Sequence, residues 1–194
     1  GCCNACSNGT QVQNPINRKL ASGHNQTTQV TLSSVANIET KRFPTSQEIT
    51  YMPISVVINT YNAEQYLKEV LDSVKEFDEI VICDMESTDR TLDIAKEHNC
   101  RIVTFPKGNI TIVEPARNFA IRSATNEWVL VVDADEVVTP QLKEYLYKKI
   151  KEHDCPKGIF ISRLNKYIGE FTKCWSNDWQ LRFVARDKTD WPST

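Results

Sequence analysis

Three things are missing from this 194-residue sequence, and each removes a class of reading. No apolar run approaches the roughly 20 residues that a membrane-crossing helix needs, and the first residues do not read as a signal peptide. Neither sign of charge dominates: 23 basic and 25 acidic residues leave a net charge of -2, too little to suggest nucleic acid or anionic lipid as a partner. No second C-x-x-C follows the terminal Cys2, Cys3 and Cys6, so a structural metal site there lacks its other half. The seven cysteines are an odd number, which rules out complete pairing within one chain. Cys83, Cys100, Cys155 and Cys174 are scattered and are expected to be reduced thiols in a reducing compartment. Asn8, Asn25 and Asn109 begin N-x-[ST] triplets, a pattern too short to outweigh a cytosolic expectation. A first residue of glycine rather than methionine suggests a processed terminus, from which a targeting segment could have been removed.

What is present is ordinary for a globular domain, 40% hydrophobic and 25% charged, with a change of texture near residue 50. Residues 1–50 are rich in Asn, Gln, Ser and Thr and are expected to form an arm or extension, in which "TQVTLSSV" could make one strand. From 51 to 194 strand and helix signals alternate. "ISVVIN" (54–59), "EIVICD" (79–84), "RIVTF" (101–105), "EWVLVVD" (127–133) and "GIFISRL" (158–164) read as buried strands. The intervening segments read as helices. Leu67, Val70, Leu71 and Val74 have i, i+3, i+4, i+7 spacing, and Asn62 is expected to cap them. Ser87 and Asp89 are expected to cap a helix over 87–98. Pro115 begins another helix, and Thr139 with Pro140 begins a third that runs to about Glu152. Such alternation predicts βαβ crossovers, an α/β fold and a mostly parallel sheet.

In an open parallel sheet, ligands bind beyond the carboxyl ends of the strands. Here that rule selects Asn59–Asn62, Asp84–Asp89, Lys107–Glu114 and Asp133–Glu136. "VLVVDADEVV" (129–138) drives an apolar strand into three carboxylates. If the chain stays extended, Asp133 and Asp135 point the same way and need a cation or a shared proton between them. Hard oxygen ligands of this kind suit Mg2+ or Mn2+ shared with substrate phosphates. The plainer alternative is an acidic turn in which Asp133 caps the next helix. Asp84 could accept hydrogen bonds from a base or sugar, Arg117 could fork onto phosphate, and Trp128 is expected to pack. His98 and His153, late in helices, favour the helix dipole and carry no catalytic expectation.

"SVVINTYNAEQYL", "DEIVICDMESTDRTLDIA", "PARNFAIRSATNEWVLVVDADE" and "DWQLRF", in that order over residues 53–185, resemble a family 2 glycosyltransferase of the GT-A fold. The flavour is that of bacterial lipopolysaccharide-core and capsule enzymes, and of those that glycosylate peptide cysteines. The resemblance implies a three-layer α/β/α architecture and a nucleoside-diphosphate sugar as donor. It also implies Mg2+ or Mn2+ as cofactor and a glycan, lipid-linked or peptide acceptor. Thr60, Tyr61 and Asn62 match the loop against the nucleoside, Asp84 matches the base-binding aspartate, and Asp89 belongs to the adjoining turn. Arg117 matches a basic residue near the diphosphate. Asp133 and Asp135 match the D-x-D pair, with Asp135 the direct metal ligand and Asp133 nearer the ribose and metal waters. Asp178 aligns with the general base of inverting members, and Arg182 follows it toward the leaving diphosphate. Such domains continue beyond this segment, so the acceptor region is expected to be incomplete at Thr194. The implied location is cytoplasmic, with peripheral contact at the inner membrane face allowed.

Two other readings are open on the residues alone. A nucleotidyltransferase would carry a Gly-rich, basic loop where "NTYNAEQ" stands. A truncated or non-catalytic module that binds a nucleotide sugar, or serves only in assembly, is the more serious rival.

Overall fold

The computed structural model describes residues 28–30, 51–108, 113–167, 170–171 and 178–190. Most of the expected arm, Cys2, Cys3, Cys6, Cys174, Asn109 and part of the loop after the third expected strand lie outside the described residues.

The strands are β1 (Thr28–Val30), β2 (Ile54–Thr60), β3 (Glu79–Asp84), β4 (Arg101–Thr104), β5 (Trp128–Asp133), β6 (Glu136–Val138), β7 (Gly158–Leu164), β8 (Lys166–Tyr167), β9 (Glu170–Phe171) and β10 (Trp179–Ala185). The helices are α1 (Leu67–Val74), α2 (Thr91–Glu97), α3 (Glu114–Ser123) and α4 (Pro140–Lys149). One sheet runs β4-β3-β2-β5-β10-β7-β1-β6, and β8 with β9 makes a separate ribbon.

β2 is central because it is apolar on both faces. Ile54, Val56 and Ile58 pack with Leu67, Val70, Leu71 and Val74 of α1, with α2, and with Leu142 and Leu146 of α4. Val57 looks the other way, with Val81, Val129 and Val131, onto Ala116, Ala120 and Ile121 of α3. The small alanines let α3 lie close to the sheet, and the three layers are thus α1/α2/α4, sheet, and α3. Trp128 is buried and stacks on Phe183 with ring centroids 5.2 Å apart, a packing role as expected.

β2, β3, β4 and β5 are parallel, and their register levels the strand ends: Thr60 lies beside Asp84, and Asn59 beside Asp133. β7 departs from simple βαβ expectation. It runs antiparallel to β10, which is itself inserted antiparallel against β5. Four of the seven pairings in the large sheet, including β1 with β6, are parallel.

Two local expectations are corrected. Asn62 does not cap α1, which begins at Leu67; it sits at φ 50°, a conformation Asn tolerates, and bonds the neighbouring loop. Ser87 does not cap α2 either, because its hydroxyl is taken by the Asn62 amide. Thr139 does cap α4, accepting from the Leu142 amide at 3.3 Å. Among the described residues no helix is long and apolar enough to cross a membrane.

Candidate functional site

Level strand ends bring the loops after β2 and β3 into contact. Thr60 Oγ1 donates to Asp84 Oδ1 at 3.0 Å, and the Ser87 amide donates to Asp84 Oδ2 at 2.9 Å. Both Thr60 and Asp84 are 1% exposed, so this aspartate is a satisfied carboxylate at the base of the rim. Asn62 Oδ1 accepts the Thr88 amide at 2.8 Å, and Asp89 accepts the amides of Glu64 at 3.0 Å and Thr91 at 2.9 Å. Asp89 therefore serves the α2 start, as expected of it. It also ties the loop after β2 to the loop after β3. Tyr61 is left exposed above this seam, with Lys107 Nζ 3.8 Å from its ring centroid. An aromatic face with a cation over it suits a flat, electron-rich ring or a phosphate edge.

The acidic stretch is arranged differently from its extended reading. β5 ends at Asp133, Ala134 and Asp135 form a turn, and β6 starts at Glu136. Asp133 and Asp135 are therefore not successive same-face residues of one strand, and arginine is the cation that relieves Asp133. Arg182 forks onto it, Nη1 to Oδ1 at 3.1 Å and Nη2 to Oδ2 at 2.5 Å, while Arg117 Nη2 reaches Oδ1 at 2.7 Å. Burial pushes the Asp133 carboxyl up, but the bonds and charges of Arg182 and Arg117 outweigh it and hold it at about 2. Nor does Asp133 cap the next helix; α4 has Thr139 for that.

Glu136 is the hidden centre of the site, at 1% exposure. Its Oε2 accepts the Asp133 amide at 3.0 Å, and its Oε1 accepts both Arg182 Nη2 at 2.7 Å and Arg163 Nη1 at 3.2 Å. Burial pushes Glu136 upward against the pull of Arg182. Arg163 continues the chain to Asp178: its Nε donates to Oδ2 at 2.8 Å and its Nη2 lies 2.5 Å from the same oxygen. Gln180 Nε2 donates to Asp178 Oδ1 at 2.8 Å. Burial raises the Asp178 carboxyl, but the bonds from Gln180 and Arg163 bring it below its ordinary value.

Asp135 is the exception. It is exposed, and among the described residues no ion pair or hydrogen bond from another residue holds its carboxylate. Partial desolvation of its carboxyl against the turn, followed by the charge of Asp133, pushes it upward against the weaker pull of Arg163 and Arg182. Four carboxylates (Asp133, Asp135, Glu136, Asp178) thus face three guanidiniums (Arg117, Arg163, Arg182), and the unmatched one is at the surface. Among the described residues no group of three or more His, Cys, Asp or Glu is placed to hold a metal ion. The donor set does fit a cation that takes most of its ligands from water and phosphate, with Asp135 as its protein anchor.

The structure brings Thr60, Asn62, Asp84 and Asp89 into one bonded seam, and Asp133, Arg117, Arg182 and Asp178 into one ionic chain. Lys107 and Glu136 fall in loops the sequence selects but have no individual role there, and Arg163 and Gln180 have none either. Glu136 and Arg163 did leave a signal. Glu136 alternates with Val138, and Arg163 with Ile159 and Ile161, so each is a charge on a core-facing step of a strand. Arg182 falls where the β10–β7 register slips between Leu181 and Phe183, an irregularity that turns its side chain into the site.

A family model described as Glycosyl transferase family 2 matches residues 55–192. Poly(ribitol-phosphate) beta-N-acetylglucosaminyltransferase TarS of Staphylococcus aureus (strain Mu50) is 32% identical over 111 residues, which are 53% of this chain and 19% of that protein. A solved structure of S. aureus TarS 1–349 in complex with UDP has 31% identity and a TM-score of 0.46, covering 53% of this chain and 33% of that one. The mannosyltransferase PcManGT of Pyrobaculum calidifontis, solved with GDP-Man and Mn2+, has 28% identity and a TM-score of 0.43, covering 57% and 35%. The chain thus spans about 19% of the curated TarS it matches.

Proposed function

The chain belongs to glycosyl transferase family 2, and from that premise we propose that it moves a sugar from a nucleoside-diphosphate donor to an acceptor hydroxyl with inversion. The observation that carries this reading is Asp135, a rim carboxylate that no ion pair or hydrogen bond from another described residue holds, next to an aspartate paired with two arginines. A rim so arranged offers one ligand to a divalent cation while three arginines behind it balance the other three carboxylates. Tyr61, with Thr60 and Asn62 in the same loop, lies against the nucleoside, and Asp84 and Asp89 fix the adjoining loop beside the base. Arg117 and Arg182 keep Asp133 ionised and favour the charge that develops on a departing diphosphate. Mg2+ or Mn2+, when bound by Asp135 with Asp133 nearby, would neutralise that same charge as a Lewis acid. Asp178 takes the acceptor's proton during attack from the face opposite the leaving group.

Residues 51–194 form the transferase unit in this proposal, and residues 1–50 an extension that contributes β1 to the sheet. The acceptor is a glycan, a lipid-linked saccharide or a peptide in cell-surface glycan synthesis; a polymeric acceptor is in line with the poly(ribitol-phosphate) in the name of TarS. The setting is cytoplasmic, at or near the inner membrane face.

A second reading is favoured by one observation: Asp178 has both oxygens engaged by Arg163 and Gln180. A nucleotide-sugar-binding module without turnover would need no free base. Thermal shifts with UDP, GDP and their sugars, with and without Mn2+, test the binding claim. We expect metal-dependent stabilisation by one nucleoside diphosphate, and its loss in Asp135→Ala. Stabilisation without release of diphosphate favours the binding module, and no stabilisation by any nucleotide refutes both.

A further inference from the structure

Among the described residues, Arg163 is the guanidinium that joins Asp178, at one end of the ionic chain, to Glu136 at its centre. It gives Nε and Nη2 to Asp178 at 2.8 and 2.5 Å and spends Nη1 on Glu136 at 3.2 Å. The β7–β10 pairing fixes the same contact through the backbone, since the Arg163 amide donates to the Asp178 carbonyl at 3.1 Å. Asp178 therefore has little freedom to turn: Arg163 faces it from β7, Asn165 from the residue after β7, and Gln180 from β10. Beyond Arg163 lies Glu136, whose Oε1 is shared with Arg182, the guanidinium that forks onto Asp133.

We propose that Arg163 is a positioning residue for sugar transfer. It aims the Asp178 carboxylate at the acceptor and links that aim, through Glu136, to the arginine on the donor side. The inference rests on the transfer reading above. Its physical basis is that a carboxylate on a short side chain rotates unless both of its oxygens are held: two guanidinium nitrogens of Arg163 converge on Oδ2 while Gln180 holds Oδ1. Misplacing a base by about 1 Å can cost on the order of 100-fold in rate. The shared Glu136 oxygen means that anything drawing Arg182 toward a diphosphate leaves more of the Glu136 charge to Arg163, so the two halves of the site adjust together.

The test compares the wild type with Arg163→Gln, Arg163→Lys and Asp178→Asn. Diphosphate release from a panel of UDP- and GDP-sugars, with water as acceptor, gives kcat; thermal shift with UDP or GDP and Mn2+ gives donor binding. Arg163→Gln should lower kcat by about 10- to 100-fold while leaving the nucleotide-induced shift intact, which also reports that the variant is folded. The acid limb of its kcat profile should move upward in pH, because the base has lost a charge that held it ionised. Arg163→Lys should restore charge without the paired nitrogens on Oδ2, recovering the profile more than the rate. Wild-type kcat and profile in Arg163→Gln, with Asp178→Asn inactive, overturns the positioning role and leaves the transfer reading standing. Unchanged release in Asp178→Asn overturns the base assignment and the positioning role with it. No release by the wild type from any donor overturns the transfer reading itself, and this inference falls with it.

Discussion

Replacing Arg182 by Met removes a guanidinium that is 3% exposed and holds two carboxylates at once. Methionine fills similar space without charge, so the effect isolates the ionic contacts rather than a cavity. Afterwards, among the described residues, Asp133 keeps Arg117 and Glu136 keeps Arg163 as cationic partners, with two partly compensated carboxylates left in the same enclosure. Removing one partner from a buried ionic cluster costs about 3–5 kcal/mol, and the surviving arginines place this case near about 3. That is a large share of a stability of about 5–15 kcal/mol. The pH dependence follows from signs. Asp133 sits at about 2 against an ordinary 3.8, so it stabilises the fold above its ordinary value and loses that contribution as pH falls toward 2. The shift corresponds to about 2 kcal/mol, most of it owed to Arg182. Glu136 is raised instead, so its ionisation costs stability as pH rises through its folded value, and more so without Arg182. Urea unfolding at about pH 7 and about pH 5 should therefore show a larger deficit at the higher pH. A deficit below about 1 kcal/mol, or one equal at both values, would mean that Arg182 does not hold the site together.

Thr60→Val keeps the shape of β2 but deletes the hydroxyl that donates to Asp84 at 3.0 Å in a seam 1% exposed, and should cost about 1–3 kcal/mol by urea unfolding. A neutral result would show that solvent reaches Asp84. Cys83 is pushed by burial, and then by Asp84, up to about 12, and burial alone raises Cys100 to about 11. Both should resist alkylation in the native protein at neutral pH and react on unfolding, as read by mass spectrometry of labelled peptides. Labelling of native Cys83 at the denatured rate would contradict the packing of α3 over β3.

Most of the fold was legible because its signals are local. A short β-branched run such as residues 54–59 favours a strand covered on both faces, and the spacing of Leu67, Val70, Leu71 and Val74 favours one helix face, as the structure has them. The acidic end of β5 was equally visible, since a core strand that finishes in carboxylates must present them at its carboxyl rim. The antiparallel insertion of β10 was not legible, because strand order depends on which edges meet and not on the composition of any one strand. Asn62 looked like a helix cap, but its partner proved to be Thr88, in a loop 26 residues away.

The sequence by itself determined where the carboxylates and arginines stand along the chain, which strands are buried, and the family motifs that suggest sugar transfer. Only the tertiary structure decided how those charges are shared. Arg182 arrives from β10 to claim Asp133 and Glu136, Arg163 arrives from β7 to bridge Glu136 and Asp178, and no other described residue bonds Asp135 at the turn. The reason is that ion pairing is set by separation in space. Residues 46 to 49 positions apart become partners through strand pairing and register, which no local pattern encodes.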